Sequence, residues 1–433
     1  MDEATAFLRA LASSPSTDRI LLVPDKDADG LCSGVILYRT LVHAFSIDPS
    51  RIDIHLMTKG SNPAAEVQRQ AMTAYNAKWI IVLDQGSRNG PALVPGAEHG
   101  WQSEKPDAVR TMVVDHHWLE PGAPGPEGCL MLNACHHKPV ATASLLTWVL
   151  CRPLWPSSQS SSAENLIDYV AVLGTMGDLS VNVDWSPPFP DLTPEIKKWT
   201  KKRLGSAIAL LNAPRRTPQF DVSTAWSALL ASSSPLTILD PATNSHAARL
   251  YEARDAVGLE VERCTHTPPK FSKDGRVALL RISSAFQVHP SIATRWCGAL
   301  RSKHLQVVMC ANDAYSPGNV HFSCRIAQVA SKRGENVNII EVLNSYADLD
   351  EAWKQNVMED VGGNAFNGHP QASGGIFPQH HFEKFAKLMQ IGVPPDQSAK
   401  TSGTGKAKPA QKNTLLAMGF STSPKKKSES TTT

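Results

Sequence analysis

Three short apolar runs, Ile20 to Val23, Trp79 to Leu83 and Met112 to Val114, each lead into an aspartate, and amphipathic stretches at Leu31 to Ala44 and Ala64 to Ala77 lie between them. The runs suit strands and the stretches between them suit helices. No other feature narrows the possible folds as much. Strand, helix, strand, helix in this order predicts an α/β protein built on a parallel sheet, and such sheets bind ligands beyond the carboxyl ends of their strands. The aspartates fall at those ends.

The length of 433 residues predicts two domains, or three, and leaves room for a cleft. With 42% hydrophobic residues and no run near the 18 apolar residues that a membrane span needs, a soluble protein with no membrane partner is expected. The start, MDEATAFLRALASS, is acidic and lacks the basic and apolar parts of a secretory signal. Eight cysteines occur without a C-x-x-C pair, which suits free thiols in an intracellular protein, cytoplasmic or nuclear, and argues against a disulfide framework or a cysteine zinc site. The net charge of +3 says little, but lysines gather in Glu195 to Arg203 and in the last forty residues. Around Trp199 that basic segment could track a phosphate backbone, although a solvated helix explains it as well.

Pro156 to Ala163 reads as a surface loop, after which Asn165 to Leu173 resumes an apolar segment ending in Gly174-Thr-Met-Gly-Asp178. Residues 1–200 are expected to form the parallel-sheet domain and 201–272 a helical connector ending in a long helix at Ser245 to Cys264. A smaller α/β domain at 273–393 is expected to hold strands at Arg276 to Ile282, Leu305 to Cys310 and Val320 to Ile326, with helices at Ser291 to Lys303 and Asn338 to Tyr346. Residues 394–433, rich in Lys, Ser, Thr, Gly and Pro, read as a disordered basic tail.

Four motifs end apolar segments: PDKDADG at Pro24 to Gly30, LDQG at Leu83 to Gly86, VDHH at Val114 to His117, and GTMGD at Gly174 to Asp178. Singly, each acid has an ordinary explanation as a helix N-cap or turn residue. A calcium loop counted from Asp25 has Gly30 at its sixth position but Ile36 at its twelfth, where a bidentate glutamate belongs. Together, carboxylates with one or two imidazoles suit magnesium or manganese, and two such ions roughly 3.5 to 4 Å apart activate water and steady a phosphoryl transition state. A site assembled from four strand ends is the expectation.

Asp25-Lys-Asp-Ala-Asp-Gly30, Asp84, Asp115-His116-His117 and Asp178 resemble, in order, the four motifs of the DHH phosphoesterase superfamily, the first in the form of its RecJ-like exonucleases. Asn367 to Gly375 (NGHPQASGG) resembles the glycine-rich motif of the DHH-associated domain of the RecJ and oligoribonuclease branch. The resemblance implies a metal-dependent phosphodiesterase acting on single-stranded nucleic acid or short oligonucleotides, with two divalent ions, Mn²⁺ or Mg²⁺. By motif it implies that Asp25, Asp27, Asp84, His116 and Asp178 are metal ligands, that Asp115 orients a neighbour, that His117 lies near the scissile phosphate, and that Asp29 stands behind the ligands. In the second domain it implies that His369 and Gly368 meet the nucleotide and that Ser323 and Arg325 bind a phosphate or base edge. Hydrolysis of small phosphoanhydrides or cyclic dinucleotides, and a non-catalytic nucleic-acid-binding scaffold of the same fold, are the alternatives. In the tail, Gln411 to Phe420 (QKNTLLAMGF) faintly resembles a replication-clamp-binding motif, and suggests that or another protein partner.

Overall fold

Ile20–Pro24 (β1), Ile52–Ile54 (β2), Trp79–Leu83 (β3), Arg110–Asp115 (β4) and Leu130–Asn133 (β5) form an all-parallel sheet in the order β2-β1-β3-β4-β5. The computed structural model describes residues 1–155, 165–361 and 365–394, and the chain divides into two units between Val257 and Gly258. The Pro156 to Ala163 segment and the Gln411 to Phe420 motif lie outside the described residues. Among those residues, no helix is long and apolar enough to cross a membrane.

Side chains of β1, β3 and β4 alternate between two apolar layers. Ile20, Leu22, Ile81, Leu83, Met112 and Val114 join one, while Leu21, Val23, Ile80, Val82 and Val113 join the other with Met72 and Leu93. Both faces are therefore dry, which is why these strands read as unbroken apolar runs. The larger layer is completed by helices Asp2–Ala12 (α1), Ala28–Arg39 (α2), Ala143–Cys151 (α4) and Asn165–Leu179 (α5), through residues such as Phe7, Leu31, Leu145 and Leu173; Glu66–Thr73 (α3) brings Met72 to the smaller one. Fully burying one such side chain stabilises the fold by roughly 1.5–3 kcal/mol.

Thr193–Trp199 (α6), Lys201–Leu211 (α7), Val222–Leu230 (α8) and Pro235–Leu239 (α9) follow, and Ala247–Thr265 (α10) carries the division between the units within it. Leu204, Leu211, Trp226 and Leu250 share the larger layer, so the helices of the expected connector pack into the first unit. The helix expected from Leu31 starts earlier, at Ala28, because the Asp27 side chain accepts from the backbone N–H of Asp29 and of Gly30 and caps it.

One expectation needs correction: Asp178 lies in the last turn of α5, not at a strand end. Tyr169 to Leu173 are buried at every position, which hides the helical period that would have marked the segment.

In the second unit, Lys270–Phe271 (β6), Val277–Ile282 (β7), Val307–Ser316 (β8), Asn319–Ile326 (β9), Asn367–His369 (β10) and Ala372–Pro378 (β11) form a sheet ordered β10-β11-β9-β8-β7-β6. Only β7 and β8 pair in parallel, across the helix His289–Ala299 (α11). Gln328–Lys332 (α12), Ile339–Ala347 (α13), Glu351–Val361 (α14) and Gln379–Leu388 (α15) complete the unit. Its core is aromatic: Phe322, Phe366, Phe377, Phe382 and Phe385 cluster around Trp353, whose ring stacks on Phe385 with centroids 5.5 Å apart.

Candidate metal centre

Register places the acids. Pro24 pairs with Leu83 and Leu83 with Val114, so the residues that follow, Asp25, Asp84 and Asp115, stand side by side across three strand ends. The backbone continues the ladder one step: Asp25 N–H donates to Leu83 O at 3.0 Å and Asp84 N–H to Val114 O at 2.9 Å. The first turn of α2 closes over this edge. A Cβ on Gly30 would come within 2.7 Å of the Asp25 backbone, so only glycine lets helix and acid approach so closely.

Asp84 sits at the centre. Its φ is +61°, in the left-handed region where a non-glycine residue is uncommon and an aspartate is among the better tolerated. It is only 3% exposed, and its Oδ1 has no hydrogen-bond partner among the described residues. The nearest group able to carry positive charge is His116, whose Nε2 lies 3.2 Å from that oxygen, 3.7 Å from Asp178 Oδ2 and 3.8 Å from Asp29 Oδ2. Burial, reinforced by the charges of Asp29, Asp27, Asp25 and Asp115, pushes the Asp84 carboxyl well above the usual range.

Asp115 is the opposite case. It accepts from the backbone N–H of Ser87, His116 and His117, and pairs with His117 Nδ1 at 2.7 Å. Burial alone would raise its pKa, but these donors outweigh it and hold the carboxyl at about 2. The half-exposed His117 ring is raised to about 9: desolvation opposes its charge, but the bond to Asp115 and the nearby Asp25 and Asp27 prevail.

Asp29 accepts from the backbone N–H of Ala143 at 2.8 Å, the N–H of Ser144 at 3.1 Å, and the Ser144 hydroxyl, all at the start of α4. It therefore fastens α2 to the N-terminus of α4, a favourable place for an acid. Burial and the charges of Asp178 and Asp27 still raise it to about 6, against the pull of His116 and Ser144.

Three neighbours were not marked by the motif spacing. Lys26 Nζ lies 2.9 Å from Asp25 Oδ1, and Arg215 reaches within 3.8 Å of Asp27 Oδ2. Burial works against the charge of Asp27, but Arg215 and Lys26 overcome it and hold the pKa down. Asn212 Oδ1 accepts from both Ala28 N–H and Arg215 Nε, tying the turn before α8 to the first motif. Neither Asn212 nor Arg215 lies in a motif, so the sequence alone gave no signal for them. Trp118 follows His117 and is 61% exposed, its ring edge-on to His136 with centroids 5.0 Å apart.

In the second unit, Ser323 and Arg325 lie on β9 opposite Gly374 and Ala372 of β11, and Arg325 donates to Ser323 Oγ at 3.0 Å. Gly368, at φ +111°, pairs with Ser373, and a Cβ there would come within 2.5 Å of Ala372 O. The Gly362 to Asn364 segment and the His369 side chain lie outside the described residues.

Ligand atoms of Asp25, Asp27 and Asp84 lie within 4.8 Å of one another, as do those of Asp84, His116 and His117. Asp84 belongs to both sets, and its partnerless buried oxygen is what a bound cation would satisfy. Hard oxygen donors with one imidazole suit Mn²⁺ or Mg²⁺, so the residues present fit the implied metal.

A parallel sheet covered on both faces, with acids and histidines gathered at its carboxyl edge, defines an α/β protein with a metal-binding type of site. Residues 19–175 match the family model described as "DHH family, N-terminal domain". Among solved structures it resembles the exonuclease RecJ bound to manganese, at 17% identity and TM-score 0.55 over 90% of this chain and 92% of that one. It also resembles RecJ from Thermus thermophilus in complex with Mn²⁺, at 17% identity and TM-score 0.58, covering 90% of this chain but 53% of that one. The DHH domain of a member of the s1p family of ribosomal proteins aligns at 14% identity and TM-score 0.58, over 91% of each chain. At these identities the likeness is one of fold. No curated protein matches the sequence.

Proposed function

We propose that the protein is a metal-dependent phosphodiesterase that hydrolyses single-stranded nucleic acid or short oligonucleotides, with two Mn²⁺ or Mg²⁺ ions held by Asp25, Asp27, Asp84, His116 and Asp178. The observation that carries this reading is the buried, partnerless Asp84 Oδ1 among four other carboxylates. Bound ions would neutralise that charge, activate water and stabilise the charge developing on phosphorus.

The chain's own groups divide the remaining work. Asp115, held by three backbone donors, fixes the His117 ring, which offers a charged donor toward the scissile phosphate. Asp29 holds the first motif against α4 and keeps a carboxylate behind His116. Lys26 and Arg215 draw phosphate toward the acids. Trp118 offers an exposed face on which a base can stack, which favours a nucleotide over polyphosphate. Residues 273–393 act as the substrate-binding part, through Arg325, Ser323, Gly368 and His369. Partner binding by Gln411 to Phe420 remains part of this proposal.

The test is hydrolysis of labelled oligonucleotides of several lengths with Mn²⁺, beside cyclic dinucleotides and polyphosphate, by wild type and Asp84→Ala. Metal-dependent shortening of oligonucleotides, lost in Asp84→Ala, is expected. Wild type and variant alike on every substrate would sink the enzyme reading, and turnover of cyclic dinucleotides or polyphosphate alone would sink the substrate.

A further inference from the structure

Besides the groups that share Asp84, the described residues hold one other group of three side chains whose ligand atoms all lie within 4.8 Å of one another: Asp360, His380 and His381. Asp360 is in the last turn of α14, and the two histidines are in the first turn of α15. His381 is nearly buried, with Nε2 2.8 Å from Asp360 Oδ2, and the exposed His380 ring lies 4.1 Å from it, centroid to centroid.

We propose that these three residues form a second metal site, selective for a borderline ion such as Zn²⁺. Three features of the cluster support it. Two imidazoles and one carboxylate match the donor set of three-ligand zinc sites, whereas magnesium and manganese favour oxygen. His380 has no hydrogen-bond partner among the described residues, so its ring nitrogens are available. Asp360 sits where the carbonyl end of α14 repels a carboxylate, and a cation there relieves the repulsion.

The site is separate from the residues assigned to substrate, and it stands whether or not the phosphodiesterase reading holds. β11 pairs Ala372 with Arg325 at one end and Pro378 with Asn319 at the other, so His380 follows the end remote from Arg325. Over the seven residues of β11 that separation is roughly 20 Å. The ion would join residues 360 and 380, the two ends of the segment that carries β10 and β11. Closing that loop removes chain freedom and holds the glycine-rich hairpin between two anchored helices.

The experiment titrates the full-length protein with ZnCl₂ by equilibrium dialysis, comparing wild type with His380→Ala and Asp360→Asn. Zinc taken up by the strand-end acids is common to all three, so the difference reports this site alone. Wild type should bind one more equivalent than His380→Ala, or bind it at least about tenfold more tightly. His380 is exposed, so this variant should fold, as circular dichroism would verify. Trp353 gives an independent readout, because its ring lies 6.2 Å from that of His381. Cu²⁺ should quench its fluorescence in wild type and not in His380→Ala, with Trp353→Phe identifying the signal. Equal zinc binding by wild type and both variants, or quenching that survives in His380→Ala, would overturn the proposal.

Discussion

Asp84, His116 and His117 in the first unit, and Asp360, His380 and His381 in the second, are the same three side-chain types, each with two consecutive histidines of which one is buried and one exposed. The acids differ. Asp84 is buried on a left-handed residue amid four other carboxylates, with one oxygen unanswered. Asp360 is half exposed on a helix, and its near neighbour His381 already answers it. The first cluster is an accumulation of negative charge that the fold sustains at a cost, and in the second the acid is already paired with a histidine. What separates them is the set of further carboxylates around Asp84, which adds both oxygen donors and negative charge to the first cluster.

The largest effect should come from removing the unanswered charge. Asp84→Asn keeps a residue that tolerates a positive φ, and hydrolysis at saturating Mn²⁺ should fall by on the order of 10³-fold. The same variant should melt higher than wild type in EDTA, since a buried charge among like charges is gone. A lower melting temperature would break the contrast drawn above.

Asp29 tests how the crowded cluster is anchored. Asp29→Ala leaves the backbone N–H groups of Ala143 and Ser144 buried without their acceptor, and should cost about 2 kcal/mol in chemical denaturation. Activity should fall by roughly 10- to 100-fold through the loosened first motif. An unchanged denaturation midpoint would mean that α4 does not depend on this acid.

Trp118 sharpens the substrate side. Trp118→Ala should raise KM for an oligonucleotide by about fivefold, the low end of base stacking for an exposed ring, without changing KM for a small non-nucleotide diester. Equal effects on both would remove the stacking role.

The smallest effect concerns an acid in the second unit that is fully answered. Asp274 is buried enough to be raised, but bonds from Ser272, Arg276 and Tyr346 hold it at about 2 against a usual 3.8. Its folded pKa is depressed, so its contribution is present above pH 3.8 and lost as pH falls toward about 2. Denaturation midpoints should drop across that window in wild type and drop less in Asp274→Asn; parallel curves would refute the assignment.

The strand ends of the first unit were legible because their runs are apolar on both faces and stop at an acid. Asp25, Asp84 and Asp115 then follow from parallel register alone. Asp178 was marked by its motif, and its Oδ2 lies 3.7 Å from His116 Nε2, but its helix was not legible, since residues 169–176 of α5 are buried at every position and hide the helical period. The strand read as ending at Cys310 runs on to Ser316, through the polar stretch Asn312 to Ser316, where the pairing is irregular. Asn212 and Arg215 were invisible because only folding brings them to Ala28 and Asp27. Asp27 caps α2, the ordinary reading of such an acid, and also lies within reach of Asp84.

The row of acids has one further consequence. Residues 25, 84 and 115 come from three stretches of chain that meet only when β1, β3 and β4 have paired. No shorter piece of the polypeptide can present them together, so a cation held there recognises the assembled sheet and ignores the unfolded chain. Such an ion acts as a mass-action clamp on folding, worth about 2.7 kcal/mol at one hundred times its Kd. The abundance of the intact protein in a cell would then track the supply of that ion before any question of turnover arises.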